Sequence, residues 1–251
     1  MFDLSGKVAL VTGGNGGIGL GMARGLARAG AHLFIAGRDA AKSEAAVMQL
    51  RAEGLGADLL VVDVADEASV AAMTAQAVAA RGRLDILVNN AGTNIRQPPD
   101  TLSLADWQTV INVNLTSAFL CSRAAHPHMQ RGGGGKIINI GSMMSIFGAP
   151  YAPAYGASKG GVVQFTRSLA TAWAGDNIQA NAVLPGWIDT ELTRKARVQV
   201  AGLNERVLAR TPAARWGEAS DLAGIAVFLA SSASDFVTGT AIPVDGGYSI
   251  A

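Results

Sequence analysis

Cysteine is nearly absent, since Cys121 is the only one among 251 residues, and this excludes an internal disulfide framework. No charge-free apolar run reaches about 18 residues, so we expect no membrane-spanning helix. The opening residues Met1–Lys7 carry an acid and lack the apolar stretch of a signal peptide. No Cys and His residues are paired at metal-ligand spacing. The sequence therefore predicts a cytoplasmic protein without a metal.

Charge of one sign is not in excess either. Twenty basic and nineteen acidic side chains leave a net charge of +1. Phosphate backbones are bound by an excess of Lys and Arg, so we do not expect nucleic acid as a partner. Hydrophobic residues make up 49 % of the chain, which excludes a disordered protein. A small molecule is the expected ligand.

The chain alternates short apolar runs with helical patterns. The runs predict buried parallel strands at Lys7–Thr12, His32–Ala36, Leu59–Val62, Ile86–Asn89, Lys136–Ile140, Ile178–Leu184 and Ala241–Val244. Helices are predicted at Ile18–Ala29, Asp39–Arg51, Asp66–Arg81, Leu104–Gln130, Tyr155–Ala174 and Asp221–Ala230. This order requires a parallel sheet covered on both faces. We predict an α/β fold, a single Rossmann-like doubly wound sheet of about seven strands forming one domain over residues 1–251.

One long stretch, Trp187–Gly217, is too long for a tight loop. Its basic residues indicate a solvated helical lid over a substrate pocket. These residues are Arg194, Lys195, Arg197, Arg206, Arg210 and Arg215.

The first chemical signal is the glycine-rich turn after the first strand, Thr12–Gly19. A dinucleotide pyrophosphate approaches a helix N-terminus closely, and glycines permit both the tight turn and the approach. Two registers fit, one through Gly14, Gly16 and Gly19 and one through Gly13, Gly17 and Gly19. Its place between a strand and a helix predicts a dinucleotide site.

The end of the second strand selects between the two nicotinamide dinucleotides. An acid there would bind the ribose 2′-hydroxyl of NAD, but position 37 is glycine. Arg38 could instead pair with the 2′-phosphate of NADP. NADP(H) is therefore favoured and NAD(H) stays open.

The second signal is the pair Tyr155 and Lys159, which share one face of a helix. The attraction between an ammonium and an ionised phenol about 5 Å apart is about 3 kcal/mol. This attraction predicts a tyrosine pKa about two units below its usual value. Such a tyrosine is a general base near neutral pH. Ser142 follows the fifth strand, at the sheet edge where doubly wound folds bind ligands, and could hold a substrate oxygen.

Over its whole length the chain resembles the short-chain dehydrogenase/reductase family. The resemblance rests on Thr12-Gly13-x-x-x-Gly17-Ile18-Gly19, Asp63-Val64, Asn89-Asn90-Ala91-Gly92, Asn112-Val113-Asn114-Leu115, Gly141-Ser142, Tyr155-x-x-x-Lys159 and Pro185-Gly186-Trp187-Ile188-Asp189-Thr190. It implies that Tyr155 is the general acid/base, that Lys159 lowers its pKa and holds the nicotinamide ribose, that Ser142 orients the reacting carbonyl or hydroxyl, and that Asn114 holds a proton-relaying water.

The resemblance also implies a set of cofactor contacts. They are Gly13, Asn15, Gly17, Ile18, Gly19, Arg38, Asp63, Val64, Asn90, Ala91, Gly92, Tyr155, Lys159, Pro185, Gly186, Ile188 and Thr190. One departure bears on cofactor choice, because many NADP-using members carry Arg or Lys where this chain has Gly16. The family further implies a homotetramer, paired through the helices Ser103–Gln130 and Tyr155–Ala174.

Several stretches, such as Met1–Gly13, Lys136–Ile140, Thr211–Gly217 and Ser234–Gly239, look like sugar-acid dehydrogenases of the gluconate 5-dehydrogenase and 2-deoxygluconate 3-dehydrogenase groups. The predicted substrate is accordingly the CH–OH of a gluconate-type sugar acid or of a polyol. We expect Arg96 to bind its carboxylate as a bidentate fork. The other substrate contacts are Ser142, Met144, Tyr155 and Trp187.

Two alternatives stay open. A 3-oxoacyl-acyl-carrier-protein reductase or another carbonyl reductase needs a basic docking surface, for which Arg131 is the one clear candidate. A non-enzymatic nucleotide sensor would have no need of Ser142, Tyr155 and Lys159 together.

Overall fold

The computed structural model describes residues 1–251, and its centre is one parallel sheet. The strands are β1 (Val8–Thr12), β2 (His32–Gly37), β3 (Ala57–Val61), β4 (Ile86–Asn89), β5 (Gly135–Ile140), β6 (Ile178–Pro185) and β7 (Ala241–Val244). They lie in the order β3-β2-β1-β4-β5-β6-β7, and every neighbouring pair is parallel. The chain order reverses between β1 and β4, which is the switch point where such sheets bind ligands.

Helices cover both faces, which confirms the predicted fold class. They are α1 (Gly17–Arg28), α2 (Ala40–Ala52), α3 (Glu67–Arg81), α4 (Leu104–Ile111), α5 (Ser117–Arg131), α6 (Pro153–Trp173), α7 (Glu191–Gln199), α8 (Leu203–Arg210) and α9 (Ala223–Ala230). The Asp39 and Asp66 carboxylates accept the capping hydrogen bonds of α2 and α3, as their positions predict. The third strand begins at Ala57, earlier than predicted, because Ala57 pairs with Leu33 of β2.

Alternate residues of each strand face the two helix layers. In β1, Ala9 and Val11 pack with the core under α1, α2 and α9, while Val8 and Leu10 pack with the core under α3, α5 and α6. All five residues of β1 are buried. A strand buried on both faces reads as a continuous apolar run, which is why the sequence pattern predicted these strands well.

The long helix expected over Leu104–Gln130 is interrupted. Residues Asn112–Thr116 form a π-helical turn between α4 and α5. Such turns insert an extra residue into the helix and often lie at functional sites, and here the turn carries Asn114. No helix of the protein is both long enough and apolar enough to cross a membrane.

The predicted segment Trp187–Gly217 contains α7 and α8, so its helical character is confirmed. Its basic residues are not all solvated, and that part of the prediction is wrong. The Arg197 guanidinium lies 3.7 Å from the centre of the Trp216 ring. Arg210 lies between the rings of Phe147 and Tyr248, at 4.5 and 4.4 Å. Aromatic rings from other elements hold these two cations by cation–π attraction.

Candidate active site

The glycine-rich turn joins β1 to α1 at the switch point of the sheet. Gly13 and Gly17 have φ angles of +62° and +50°, which favour glycine. A Cβ on Gly19 would lie 2.4 Å from both the Gly13 carbonyl oxygen and Asn90 Nδ2, whereas a Cβ on Gly16 would meet only the Lys42 side chain, at 3.5 Å. The backbone therefore requires glycine at all three positions of the register Gly13, Gly17 and Gly19, but not at Gly16 of the other register. This cradle at the N-terminus of α1 fits a dinucleotide pyrophosphate.

The end of β4 closes against the glycine-rich turn. The Thr12 hydroxyl accepts hydrogen bonds from the main-chain N–H groups of Asn90 and Ala91, each at 3.1 Å. Asn90 Nδ2 donates to the carbonyls of Thr12 and Gly13, at 3.1 and 3.0 Å. These bonds fix the floor of a cleft of about 890 Å³. Asn90, Ala91 and Gly92 line it, as predicted from the sequence.

The end of β2 forms the side of the cleft where the sequence predicts the adenosine ribose. Arg38 is exposed at its wall. Asn15 Nδ2 donates to Ser43 Oγ over 3.0 Å. A Cβ on Gly37 would lie 2.7 Å from that Asn15 nitrogen. An acidic side chain at position 37 would therefore displace Asn15, and the ribose side presents amide, hydroxyl and guanidinium donors instead.

Ser142, Tyr155 and Lys159 meet beyond the ends of β4, β5 and β6. Ser142 caps the short 3₁₀ turn Met143–Ser145, and its hydroxyl accepts from the Met144 N–H over 3.1 Å. Lys159 Nζ donates to the Ile140 carbonyl over 2.6 Å and lies 5.6 Å from the centre of the Tyr155 ring. The helix α6 thus presents both side chains to one end of the cleft, as the spacing of four residues predicts.

The predicted depression of the Tyr155 pKa is wrong for this geometry. Burial raises the pKa of Tyr155, and the Ser142 hydroxyl and the Arg96 guanidinium only partly oppose that rise. Burial also lowers the pKa of Lys159 to about 8. Desolvation disfavours the charged form of both groups, and this effect outweighs the attraction that the sequence argument considered alone.

Asn114 lies behind the cleft rather than on its wall. Its Oδ1 accepts from the Thr93 N–H over 2.7 Å, and its Nδ2 donates to the Thr93 carbonyl and to Ser158 Oγ, each over 3.0 Å. Both amide hydrogens of Asn114 are therefore used within the protein, and its amide oxygen already accepts one hydrogen bond. Sequence reasoning missed Thr93 and Ser158, although Ser158 lies between the two residues of the Tyr155–Lys159 pair.

Arg96 reaches the cleft from the loop after β4. It donates to Gln199 Oε1 over 2.9 Å and to the Leu192 carbonyl over 3.3 Å. Burial lowers its pKa, while Tyr151 and Tyr155 oppose that effect. No carboxylate of the protein forms an ion pair with it, although most of the arginines of the lid segment have one. Tyr151 is a cleft residue that the sequence reasoning missed, because it precedes α6 and belongs to no recognisable motif.

Most of the remaining predicted residues line the same cleft. They are Gly13, Asn15, Gly17, Ile18, Val64, Met144, Pro185, Gly186, Trp187, Ile188 and Thr190. Gly19 and Asp63 do not: Gly19 is buried beneath the turn, and the Asp63 carboxylate accepts from the Ala65 N–H over 3.0 Å in its own loop. No group of three His, Cys, Asp or Glu side chains is placed to hold a metal ion.

A doubly wound sheet with a glycine cradle at its switch point and a Ser–Tyr–Lys group beside it defines a nicotinamide-dependent oxidoreductase. The family model described as "Enoyl-(Acyl carrier protein) reductase" matches residues 13–249. The chain belongs to the short-chain dehydrogenase/reductase family. Enzymes of this family act on CH–OH groups with a nicotinamide cofactor.

Three relatives show where the chain lies within that family. It is 46 % identical to the 2-dehydro-3-deoxy-D-gluconate 5-dehydrogenase of Escherichia coli K12, covering 98 % of this chain and 97 % of the relative. It is 41 % identical to the gluconate 5-dehydrogenase of Gluconobacter oxydans 621H, covering 100 % and 97 %. The crystal structure of a Burkholderia cenocepacia J2315 gluconate 5-dehydrogenase in complex with NADP and tartrate is 45 % identical, with a TM-score of 0.95 and coverage of 100 % and 98 %.

Proposed function

We propose that this protein is an NADP-preferring dehydrogenase that interconverts the CH–OH and C=O of a gluconate-type sugar acid. The observation that carries the substrate class is Arg96, a half-buried cation in the cleft with no carboxylate partner in the protein. A buried charge is costly until it is paired, and a guanidinium pairs best with a carboxylate. Relatives named for gluconate and 2-dehydro-3-deoxygluconate, each over 40 % identical, support the same class.

The residues of the chain divide the chemistry between binding and proton transfer. The glycine-rich turn and the ends of β2 and β4 would hold the dinucleotide, which supplies a hydride acceptor or donor when bound. Ser142 would hold the reacting oxygen, and the Tyr155 hydroxyl would give or take its proton. Lys159 would relay protons between Tyr155 and a water held at Asn114 in the π-helical turn.

NADP is favoured over NAD by the ribose side of the cleft. Arg38 offers an exposed cation there, and Gly37 leaves no carboxylate for a 2′-hydroxyl. The relative from Burkholderia cenocepacia was crystallised with NADP. NAD(H) stays a second candidate, because Gly16 supplies no cation from the turn itself.

An acyl-carrier-protein reductase is the second candidate, supported by the match to the family model described as "Enoyl-(Acyl carrier protein) reductase". A carrier protein would need a basic surface beside the cleft. The basic residues of the lid segment are mostly paired within the protein, as in Arg194 with Asp189 and Arg215 with Asp221. That pairing favours a small acidic substrate over a carrier protein.

We propose that the segment 187–217 acts as the substrate lid of one 1–251 domain and that the enzyme works in the cytoplasm as a homotetramer. Large apolar side chains on α4 and α5 support the assembly, because Leu104, Trp107 and Phe119 are 71, 36 and 42 % exposed. Apolar residues exposed along neighbouring helices are typical of an interface.

The test is turnover of D-gluconate with NADP⁺ and with NAD⁺, followed by reduced-nicotinamide absorbance, in the wild type and two Arg96 variants. Losing a charge-assisted hydrogen bond costs about 1.5–3 kcal/mol, so Arg96→Gln should raise KM for gluconate about 10- to 100-fold. Arg96→Lys should restore part of this, since lysine lacks the fork. The affinity for NADP should stay unchanged.

Arg194→Gln is the matched control, because Arg194 is an exposed lid arginine already paired with Asp189. It should leave KM for gluconate within about twofold. An unchanged KM in Arg96→Gln would overturn the carboxylate assignment. Turnover of acyl thioesters but not of sugar acids would favour the second candidate.

A further inference from the structure

An ion pair links the two sides of the cleft at its ribose end. Lys42 lies in the first turn of α2, directly after the end of β2, and Glu191 is the first residue of α7. Lys42 Nζ donates to Glu191 Oε2 over 2.9 Å. Both residues line the cleft, and 149 positions separate them in the sequence. The pair is therefore a contact between the nucleotide side of the cleft and the lid segment.

The Lys42 side chain lies along the glycine-rich turn. A Cβ built on Gly16 would lie 3.5 Å from Lys42 Cε and 3.8 Å from Nζ. The ammonium thus occupies the space beside Gly16 that a side chain of the turn would otherwise fill. Arg38 lines the same side of the cleft, four residues earlier in the chain, at the position where the ribose 2′ substituent is read.

Glu191 is held as an anion by two lysines. Lys195 Nζ also donates to it, over 3.0 Å, from the next turn of α7. Lys42 and Lys195 lower the pKa of Glu191 to about 2, so it stays charged at any pH where the enzyme is assayed. The start of α7 also touches the turn, since a Cβ on Gly17 would lie 3.1 Å from Thr190 Cγ2.

We propose that Lys42 is a second cation for the 2′-phosphate of NADP and that Glu191 of the lid competes with that phosphate for it. This inference rests on the proposed preference for NADP. A dianionic phosphate attracts the ammonium more strongly than one carboxylate does, so NADP would draw Lys42 away from Glu191. NAD carries a neutral 2′-hydroxyl at this position and would leave the ion pair intact.

The competition makes opposite predictions for the two partners. Lys42→Gln should weaken NADP binding about tenfold, the usual loss for a charge-assisted phosphate contact, and leave NAD binding within about twofold. Glu191→Gln frees Lys42 and should tighten NADP binding about threefold, as expected for an exposed ion pair, again without affecting NAD. In the double variant, most of the gain from Glu191→Gln should vanish, because only the direct repulsion between Glu191 and the phosphate acts without Lys42.

The experiment measures the dissociation constants of NADP⁺ and NAD⁺ by fluorescence or calorimetry at low and at high salt. The matched control is Lys195→Gln, which removes the same unit of charge from the same carboxylate but not from beside the turn. It should weaken NADP binding less than Lys42→Gln does. Salt should weaken NADP binding to the wild type more than to Lys42→Gln, because salt screens the attraction between Lys42 and the 2′-phosphate, which the variant lacks.

The outcomes separate this inference from the proposed cofactor preference. A wild type that binds NAD⁺ more tightly than NADP⁺ overturns the preference and the inference with it. If the wild type prefers NADP⁺ and Lys42→Gln binds NADP⁺ with unchanged affinity, Arg38 alone binds the phosphate. That result overturns only the inference. A loss in Lys42→Gln without a gain in Glu191→Gln keeps the second cation and refutes the competition.

Discussion

Lys159 is expected to destabilise the folded protein at neutral pH. Burial lowers its pKa from 10.5 to about 8, and its one hydrogen bond in the protein is to the Ile140 carbonyl. Each pKa unit corresponds to about 1.4 kcal/mol, so the charged lysine costs the native state about 3 kcal/mol. Replacing it with Met removes the charge and keeps most of the volume, but leaves the Ile140 carbonyl without a donor, at about 1–2 kcal/mol. Lys159→Met should therefore be about 1–2 kcal/mol more stable than the wild type at neutral pH.

The pH dependence of this difference is the sharper test. Between the native pKa of about 8 and the unfolded value of 10.5, the unfolded chain binds the proton that the native protein has lost, so wild-type stability rises with pH. From about pH 7 to about pH 9.5 the wild type should gain about 2 kcal/mol relative to Lys159→Met. The advantage of the variant should accordingly disappear at the higher pH.

Thermal unfolding of both proteins at the two pH values, at one protomer concentration, measures the effect. For a chain of this size about 1 kcal/mol shifts Tm by about 2–4 °C, so the variant should melt about 2–8 °C higher at neutral pH. Lys195→Met is the control, because it makes the same substitution at a lysine whose side chain is 65 % exposed. A variant that melts lower at neutral pH, or a difference that does not shrink at high pH, would refute the reasoning.

Further predictions concern proton transfer and the glycine-rich turn. Tyr155→Phe should lower kcat about 10²- to 10⁴-fold and leave nucleotide binding intact. A protein that keeps a signalling output after this substitution has removed turnover would instead be a nucleotide sensor. Gly19→Ala should lose about 1–3 kcal/mol in urea unfolding, because its Cβ would lie 2.4 Å from the Gly13 carbonyl oxygen and Asn90 Nδ2. Gly224→Ala, in α9 with no atom within 4 Å of the new Cβ, should gain about 0.5–1 kcal/mol. A stable Gly19→Ala would show that the turn can shift.

The parts of the fold that follow from local pattern were predictable. Strands buried on both faces give continuous apolar runs, and Asp39 and Asp66 mark helix starts because a carboxylate caps free N–H groups. The π-helical turn at Asn112–Thr116 was not predictable in this way, since its residues fit an ordinary helix. Its position depends on the contacts of Asn114 with Thr93 and Ser158, which are distant in the sequence.

The site was predictable in its members and less so in its electrostatics. Most of the motif residues line one cleft because parallel strands end at one edge of the sheet. Burial, however, is a property of the whole fold, and it reverses the expected shift of the Tyr155 pKa. The same holds for Arg197 and Arg210, whose aromatic partners Trp216, Phe147 and Tyr248 come from separate segments.

The pKa shifts of Tyr155 and Lys159 determine how the site would move a proton. Burial disfavours the phenolate and the ammonium separately, raising one pKa and lowering the other. Burial is the largest cause of the shift for Tyr155 and the only cause for Lys159. Arg96 also favours the phenolate of Tyr155. In gluconate oxidation Tyr155 takes the proton, so kcat/KM should rise with pH as Tyr155 ionises. Arg96→Gln should therefore move this rising, acidic limb of the kcat/KM profile to higher pH as well as raise KM.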